Sequence, residues 1–106
     1  MKVKEYIRAD GSNPYQKWFN SLNAQAAAKV AVAQARLELG NTSNIKWFDG
    51  IGEYRINWGP GYRIYLVQDG NDLIVLFGGG TKKRQQKDIE KAIELFYEYQ
   101  SQKKTR

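Results

Sequence analysis

Residues 53–67 read Glu53-Tyr54-Arg55-Ile56-Asn57-Trp58-Gly59-Pro60-Gly61-Tyr62-Arg63-Ile64-Tyr65-Leu66-Val67. Before the Gly-Pro-Gly turn, Tyr54, Ile56 and Trp58 alternate with Glu53, Arg55 and Asn57; after it, Tyr62, Ile64 and Leu66 alternate with Arg63, Tyr65 and Val67. A period of two predicts strands at about 52–58 and 62–68. For both apolar sets to face one core, opposed residues must share parity, which requires an odd number of connecting residues. The three-residue loop Gly59-Pro60-Gly61 meets that condition, whereas a two-residue turn would force an arginine into the core without a partner. This register places Arg55 opposite Tyr65 and Asn57 opposite Arg63. It predicts two guanidiniums, an amide and a phenol on one solvent-facing surface. An ordinary wet sheet face would show the same pattern, so alternation alone leaves both readings open.

Working outward, a third strand is expected at about 72–77 after a turn at Asp69-Gly70-Asn71. Leu73 to Phe77 is apolar on both faces, as in an inner strand, and the short links imply an antiparallel meander. Upstream, Val3 to Ile7 reads as a first strand. Asn13 is placed to cap a helix with Pro14 at its first position, and Tyr15, Trp18, Phe19 and Leu22 form its apolar stripe. Asn23 caps a second, alanine-rich helix from Ala24 to Leu39 that closes at Gly40, with Val30, Ala33 and Leu37 on its core side. Ile45 to Phe48 reads as a short strand. A last helix runs from about Gln86 to Gln100, with Ile89, Ala92, Ile93 and Phe96 facing inward. The order predicts one α+β domain over residues 1–106, with helices packed on an antiparallel sheet: N-terminal strand, helical hairpin, β-meander, C-terminal helix.

The chain contains no cysteine and no histidine. Disulfides, thiolate nucleophiles and the common zinc frameworks are thereby excluded, together with the usual general base near neutral pH. Neither metal nor cofactor is expected, and any proton transfer falls to lysine, arginine, tyrosine or a carboxylate. Seventeen basic against eleven acidic residues give a net charge of +6, and +4 of that lies in residues 81–106. Such a balance favours a polyanionic partner, although Lys103, Lys104 and Arg106 also read as a solvated tail. No apolar run approaches the roughly 20 residues of a membrane span, and Met1 to Arg8 has no signal-length apolar core. A cytoplasmic protein without membrane contact is expected.

Beyond the third strand comes Gly78-Gly79-Gly80-Thr81-Lys82-Lys83-Arg84-Gln85-Gln86-Lys87-Asp88-Ile89. Three glycines at a strand end allow close approach of a backbone or a phosphate, and the helix that follows begins with unpaired amides. An anion-accepting corner is the functional expectation; a flexible turn beside a solvated charge run is the plain one. The spacing is not that of a Walker loop.

Glu53-x-Arg55-Ile56, Gly59-Pro60-Gly61-Tyr62-Arg63-Ile64-Tyr65 and Gly79-Gly80-Thr81-Lys82-x-x-Gln85-x-x-Asp88-Ile89-x-x-Ala92, preceded by Leu37-Glu38-Leu39-Gly40-Asn41, resemble the RelE/ParE superfamily of bacterial toxins. The likeness is in particular to the HigB-like, phage-related addiction module killer branch, over nearly the whole chain. The resemblance implies a RelE-like fold and the toxin of a type II toxin-antitoxin system: a metal-independent, ribosome-dependent mRNA endoribonuclease. In that chemistry the ribose 2′-hydroxyl attacks the adjacent phosphate, leaving a cyclic phosphate and a free 5′-hydroxyl. The implied partners are the ribosome, mRNA and a cognate antitoxin, of the helix-turn-helix HigA-like kind, through which operator DNA is contacted.

Carried onto this chain, the resemblance makes Arg63 the first candidate to grip the scissile phosphate, its planar fork able to bond two oxygens. Arg55 assists from the neighbouring strand, and Lys82 is the candidate base or charge-stabilising group. Tyr65 is the candidate for stacking on a base or orienting the 2′-hydroxyl, and Gln85 for bonding the nucleotide. Asn57, Lys83 and Arg84 complete the expected substrate-binding set. Two other readings stay open: a ParE-like toxin that poisons gyrase without nuclease activity, and a non-catalytic basic RNA-binding module.

Overall fold

The structure is a computed structural model and describes residues 1–104; Arg106 of the basic C-terminal group lies outside them. Its elements are β1 (Lys2–Glu5), α1 (Pro14–Asn20), α2 (Ala24–Glu38), β2 (Ile45–Phe48), β3 (Ile51–Ile56), β4 (Tyr62–Asp69), β5 (Leu73–Thr81), a 3-10 turn (Lys82–Arg84) and α3 (Gln85–Lys104). The expected α+β order is borne out. Both helix starts are those read from the sequence: the Asn13 side chain accepts from the Gln16 amide at 3.0 Å and that of Asn23 from the Ala26 amide at 2.9 Å. Each satisfies one of the otherwise unpaired first-turn donors.

The sheet order is β1-β5-β4-β3-β2, antiparallel through the meander and parallel where β1 joins β5. The sheet is therefore mixed rather than wholly antiparallel. A long excursion through α1 and α2 separates β1 from the meander, so no hairpin dictates its direction. As expected of a strand apolar on both faces, β5 is internal.

The sheet is covered on both sides. On one face Tyr15, Val30, Ala33 and Leu37 of the helical hairpin pack on Tyr54, Ile64, Leu66, Ile74 and Leu76. On the other, Ala92, Leu95 and Tyr99 of α3 pack on Ile51, Tyr65, Val67, Val75 and Phe77. Arg55 and Asn57 are exposed as expected, but this second layer corrects the solvent-facing surface expected for Arg63 and Tyr65. Their face of β4 is where α3 lies, and Arg63 and Tyr65 are buried beneath it.

The register of β3 against β4 keeps the expected parity but is displaced by two residues. Arg55 pairs with Arg63, Glu53 with Tyr65 and Ile56 with Tyr62, so the connection is Asn57 to Gly61 rather than Gly59 to Gly61. Trp58 leaves the strand because it is used in the turn. Its carbonyl accepts from the Gly61 amide at 3.1 Å, Gly59 takes a positive φ of 57°, and its ring stacks on Tyr62 with centroids 6.2 Å apart.

β5 runs to Thr81, so Gly78-Gly79-Gly80 is strand and not a corner ahead of a helix. A bulge near Tyr65/Leu66 adds one residue to β5 and turns Gly79 toward α1 and Gly80 toward α3. A Cβ on Gly79 would overlap the Trp18 ring, and one on Gly80 would overlap the Asp88 carboxylate. The glycines thus admit two side chains of the protein itself, which is the correction to the open anion-binding corner. No helix among the described residues is long and apolar enough to cross a membrane.

Candidate functional site

One buried carboxylate organises the sheet end that carries the two arginines. Glu53 is fully buried on β3. Its Oε1 accepts from Arg55 Nε at 2.9 Å; its Oε2 accepts from Gln85 Nε2 at 2.9 Å and from the Tyr65 hydroxyl at 3.2 Å. Arg63 Nε lies 3.4 Å from the same Oε2 as an ion pair. An isolated carboxylate in this position would cost several kcal/mol, which hydrogen bonding and two guanidiniums offset.

Burial pushes the Glu53 carboxyl upward, but the Arg55 and Gln85 hydrogen bonds, the Arg63 charge and the Tyr65 hydroxyl outweigh it and hold it below the usual glutamate value. Tyr65 moves the opposite way. Burial first, then the Glu53 charge and hydrogen bond, raise its phenol well above the ordinary tyrosine range. At neutral pH Glu53 is an acceptor and Tyr65 a donor, so neither is poised as a base.

The two arginines differ in access. The Arg55 side chain is 43% exposed and that of Arg63 only 8%, so Arg55 presents the larger charged surface to a ligand. Lys82 joins them through the main chain: its amide donates to the Gly61 carbonyl at 3.0 Å, and Gly61 lies against both the Lys82 Cβ and the Arg63 guanidinium. Lys82, Lys83 and Arg84 are exposed on the 3-10 turn at the same end of the sheet.

Arg55, Arg63, Tyr65 and Gln85 therefore form one bonded cluster with Lys82 beside it. Asn57 does not join them, because the two-residue displacement moves it into the exposed loop. Two residues outside the expected site set belong here. Glu53 ties the cluster together, and its place in the polar set beside Arg55 was the available signal. Asp88 sits on α3 against Gly80, its Oδ2 buried without a hydrogen-bond partner among the described residues. Burial raises its carboxyl above the ordinary aspartate value, opposed only by the Arg84 charge.

No family model matches the chain. It is 42% identical over 80 residues to an uncharacterized protein of Haemophilus influenzae, a stretch covering 74% of this chain and 81% of that protein. The chain belongs to that protein's family.

Proposed function

We propose that the protein is the toxin of a type II toxin-antitoxin system, acting in the cytoplasm as a metal-independent, ribosome-dependent mRNA endoribonuclease. The observation that carries this reading is the cross-strand pair Arg55 and Arg63, held by one buried carboxylate beside exposed Lys82. Two guanidiniums against one carboxylate leave a net positive charge, which Lys82, Lys83 and Arg84 extend across the surface. Such a site suits a phosphodiester whose negative charge grows in the transition state. The resemblance to RelE/ParE toxins of the HigB-like branch supports the same chemistry.

In the proposed step the 2′-oxygen forms a bond to phosphorus as the bond from phosphorus to the 5′-oxygen breaks. The 2′-hydroxyl loses a proton and the departing 5′-oxygen gains one. Arg55 and the accessible edge of Arg63 hold the phosphoryl oxygens. Glu53 and Tyr65 are already committed to each other, so Lys82 is the side chain assigned to proton transfer or charge stabilisation. A cognate antitoxin would silence the site.

Inducing the protein in growing cells and mapping new 5′ ends on translated mRNA tests this reading. Growth arrest with new 5′-hydroxyl ends, relieved by a co-encoded helix-turn-helix protein, is the expected result. Arrest with uncut transcripts would remove the nuclease and favour gyrase poisoning.

A further inference from the structure

Beside the arginine cluster lies a cleft that the proposed phosphodiester chemistry does not use. β1 pairs with β5 only from Leu73 to Leu76, so the glycine end of β5 has β4 as its one strand neighbour among the described residues. Along the free edge lie two neighbouring cavities, both lined by Trp18, Gly79 and Asp88. One of about 110 Å³ reaches inward to Tyr65 and Phe77. The other, of about 370 Å³, opens past Tyr62, Thr81 and Arg84. The larger falls within the roughly 300–1,000 Å³ of small-molecule sites.

The walls of this cleft have distinct chemistry. The α1 wall is the Trp18 indole, seated on the bare backbone of Gly79. The α3 wall is Asp88, with a buried Oδ2 that accepts from nothing among the described residues. That oxygen is pressed against Gly80, but Asp88 is only partly buried and lines both cavities, which leaves its other carboxylate oxygen to accept from a ligand. Arg84, also lining the larger cavity, supplies a donor of its own. An aromatic surface, a carboxylate acceptor and a guanidinium donor together describe a flat heterocycle with adjacent N–H groups and a carbonyl.

We propose that this cleft is a nucleobase subsite selective for guanine, with the base packed against Trp18, its N1–H and N2–H groups donating to Asp88 and its O6 accepting from Arg84. Among the RNA bases only guanine sets two adjacent N–H donors beside one carbonyl on its pairing edge. Adenine and cytosine would turn a ring acceptor toward the carboxylate, and uracil flanks its single N–H with two carbonyls. The location suits a base next to the reacting phosphate, because Arg63 pairs with Gly80 and Gly80 lies against Asp88. In this the inference rests on the proposed RNA-cleaving role of the arginine cluster, but binding can be measured without cleavage.

The test is titration of the isotopically labelled intact protein with 5′-GMP, 5′-AMP, 5′-CMP and 5′-UMP, followed by NMR. GMP is expected to shift the Gly79 and Gly80 amides and the Trp18 indole, and to bind about tenfold or more tighter than the others, in line with a bidentate base contact. Asp88→Asn, confirmed as folded by circular dichroism, should reduce GMP to the level of AMP. Absence of shifts at these positions with any nucleotide, or a GMP preference that survives Asp88→Asn, would overturn the inference. The nuclease reading is separated by 5′-end mapping. Cleavage that continues at the same positions in Asp88→Asn removes the subsite and leaves the nuclease. Asp88-dependent GMP binding in a protein that cuts no transcript supports the subsite and removes the nuclease.

Discussion

Arg55 stands directly across the β3–β4 pair from Arg63, and the Glu53 carboxylate ion-pairs with both. Like charges opposite one another destabilise a strand pair. Here one fully buried acid converts the repulsion into a held pair of cations, one exposed and one nearly buried.

Glu53→Gln should therefore be strongly destabilising. Removing one partner of a buried ion pair typically costs about 3–5 kcal/mol, because the other charge stays buried. Urea denaturation at neutral pH should show the loss. A stability within experimental error of the parent protein would contradict the role given to Glu53.

The same residue sets a pH dependence. Because the folded-state pKa of Glu53 lies below its ordinary value of 4.5, its contribution is fully present above that value and is lost as pH falls through the folded pKa. The stability gap between the parent protein and Glu53→Gln should thus be constant near neutrality and close in acid. Denaturation midpoints measured across that range check the sign.

Arg55→Ala separates chemistry from folding. Arg55 is 43% exposed but its partner Glu53 is fully buried, so its loss weakens the support of that carboxylate while Gln85, Tyr65 and Arg63 remain in place. Loss of a transition-state charge donor costs about 100-fold or more in rate. A variant that still folds, with a lowered denaturation midpoint and loss of RNA cleavage at temperatures where it is folded, is expected; full activity in that variant would move the phosphate-gripping role elsewhere.

Asp88→Asn should stabilise the protein at neutral pH. The folded pKa of Asp88 is raised above 3.8 by burial, so stability is highest below that value and is lost as pH rises through the folded pKa. An amide at position 88 avoids that loss. The melting temperature of Asp88→Asn should exceed that of the parent protein at neutral pH and converge with it in acid.

Gly79→Ala and Gly80→Ala probe the free end of β5 from its two faces. A Cβ at position 79 meets the Trp18 ring, and one at position 80 meets the Asp88 carboxylate. Overpacking of this kind typically costs about 1–3 kcal/mol. Calorimetry should show both variants melting below the parent protein.

Much of the secondary structure was legible because its causes are local. Asn13 with Pro14, and Asn23 before an alanine-rich run, announce their helices through backbone groups a few residues away. Asp49-Gly50 is a further local signal: both residues have positive φ and form the two-residue link that makes a hairpin of β2 and β3. Leu95 and Tyr99 extend the inward face of α3 beyond the four residues expected there. Parity across the Gly-Pro-Gly turn was also readable, since it depends only on which side chains must share a core.

By itself the sequence determined the order of elements, the two capped helices, the parity that places Arg55 and Arg63 on one face, and the want of histidine and cysteine that limits the chemistry. Tertiary structure decided the rest. With Trp58 in the turn and stacked on Tyr62, the strand register lies two residues from the expected one and puts Glu53 rather than Arg55 opposite Tyr65. The arrival of α3 on that face buried Arg63 and Tyr65 and made Glu53 the centre of the cluster. Trp18, distant from the glycines along the chain, and Asp88, carried back onto them by the turn into α3, fill the space those glycines leave. These outcomes depend on surfaces that meet only after folding, so no local pattern of residues could encode them.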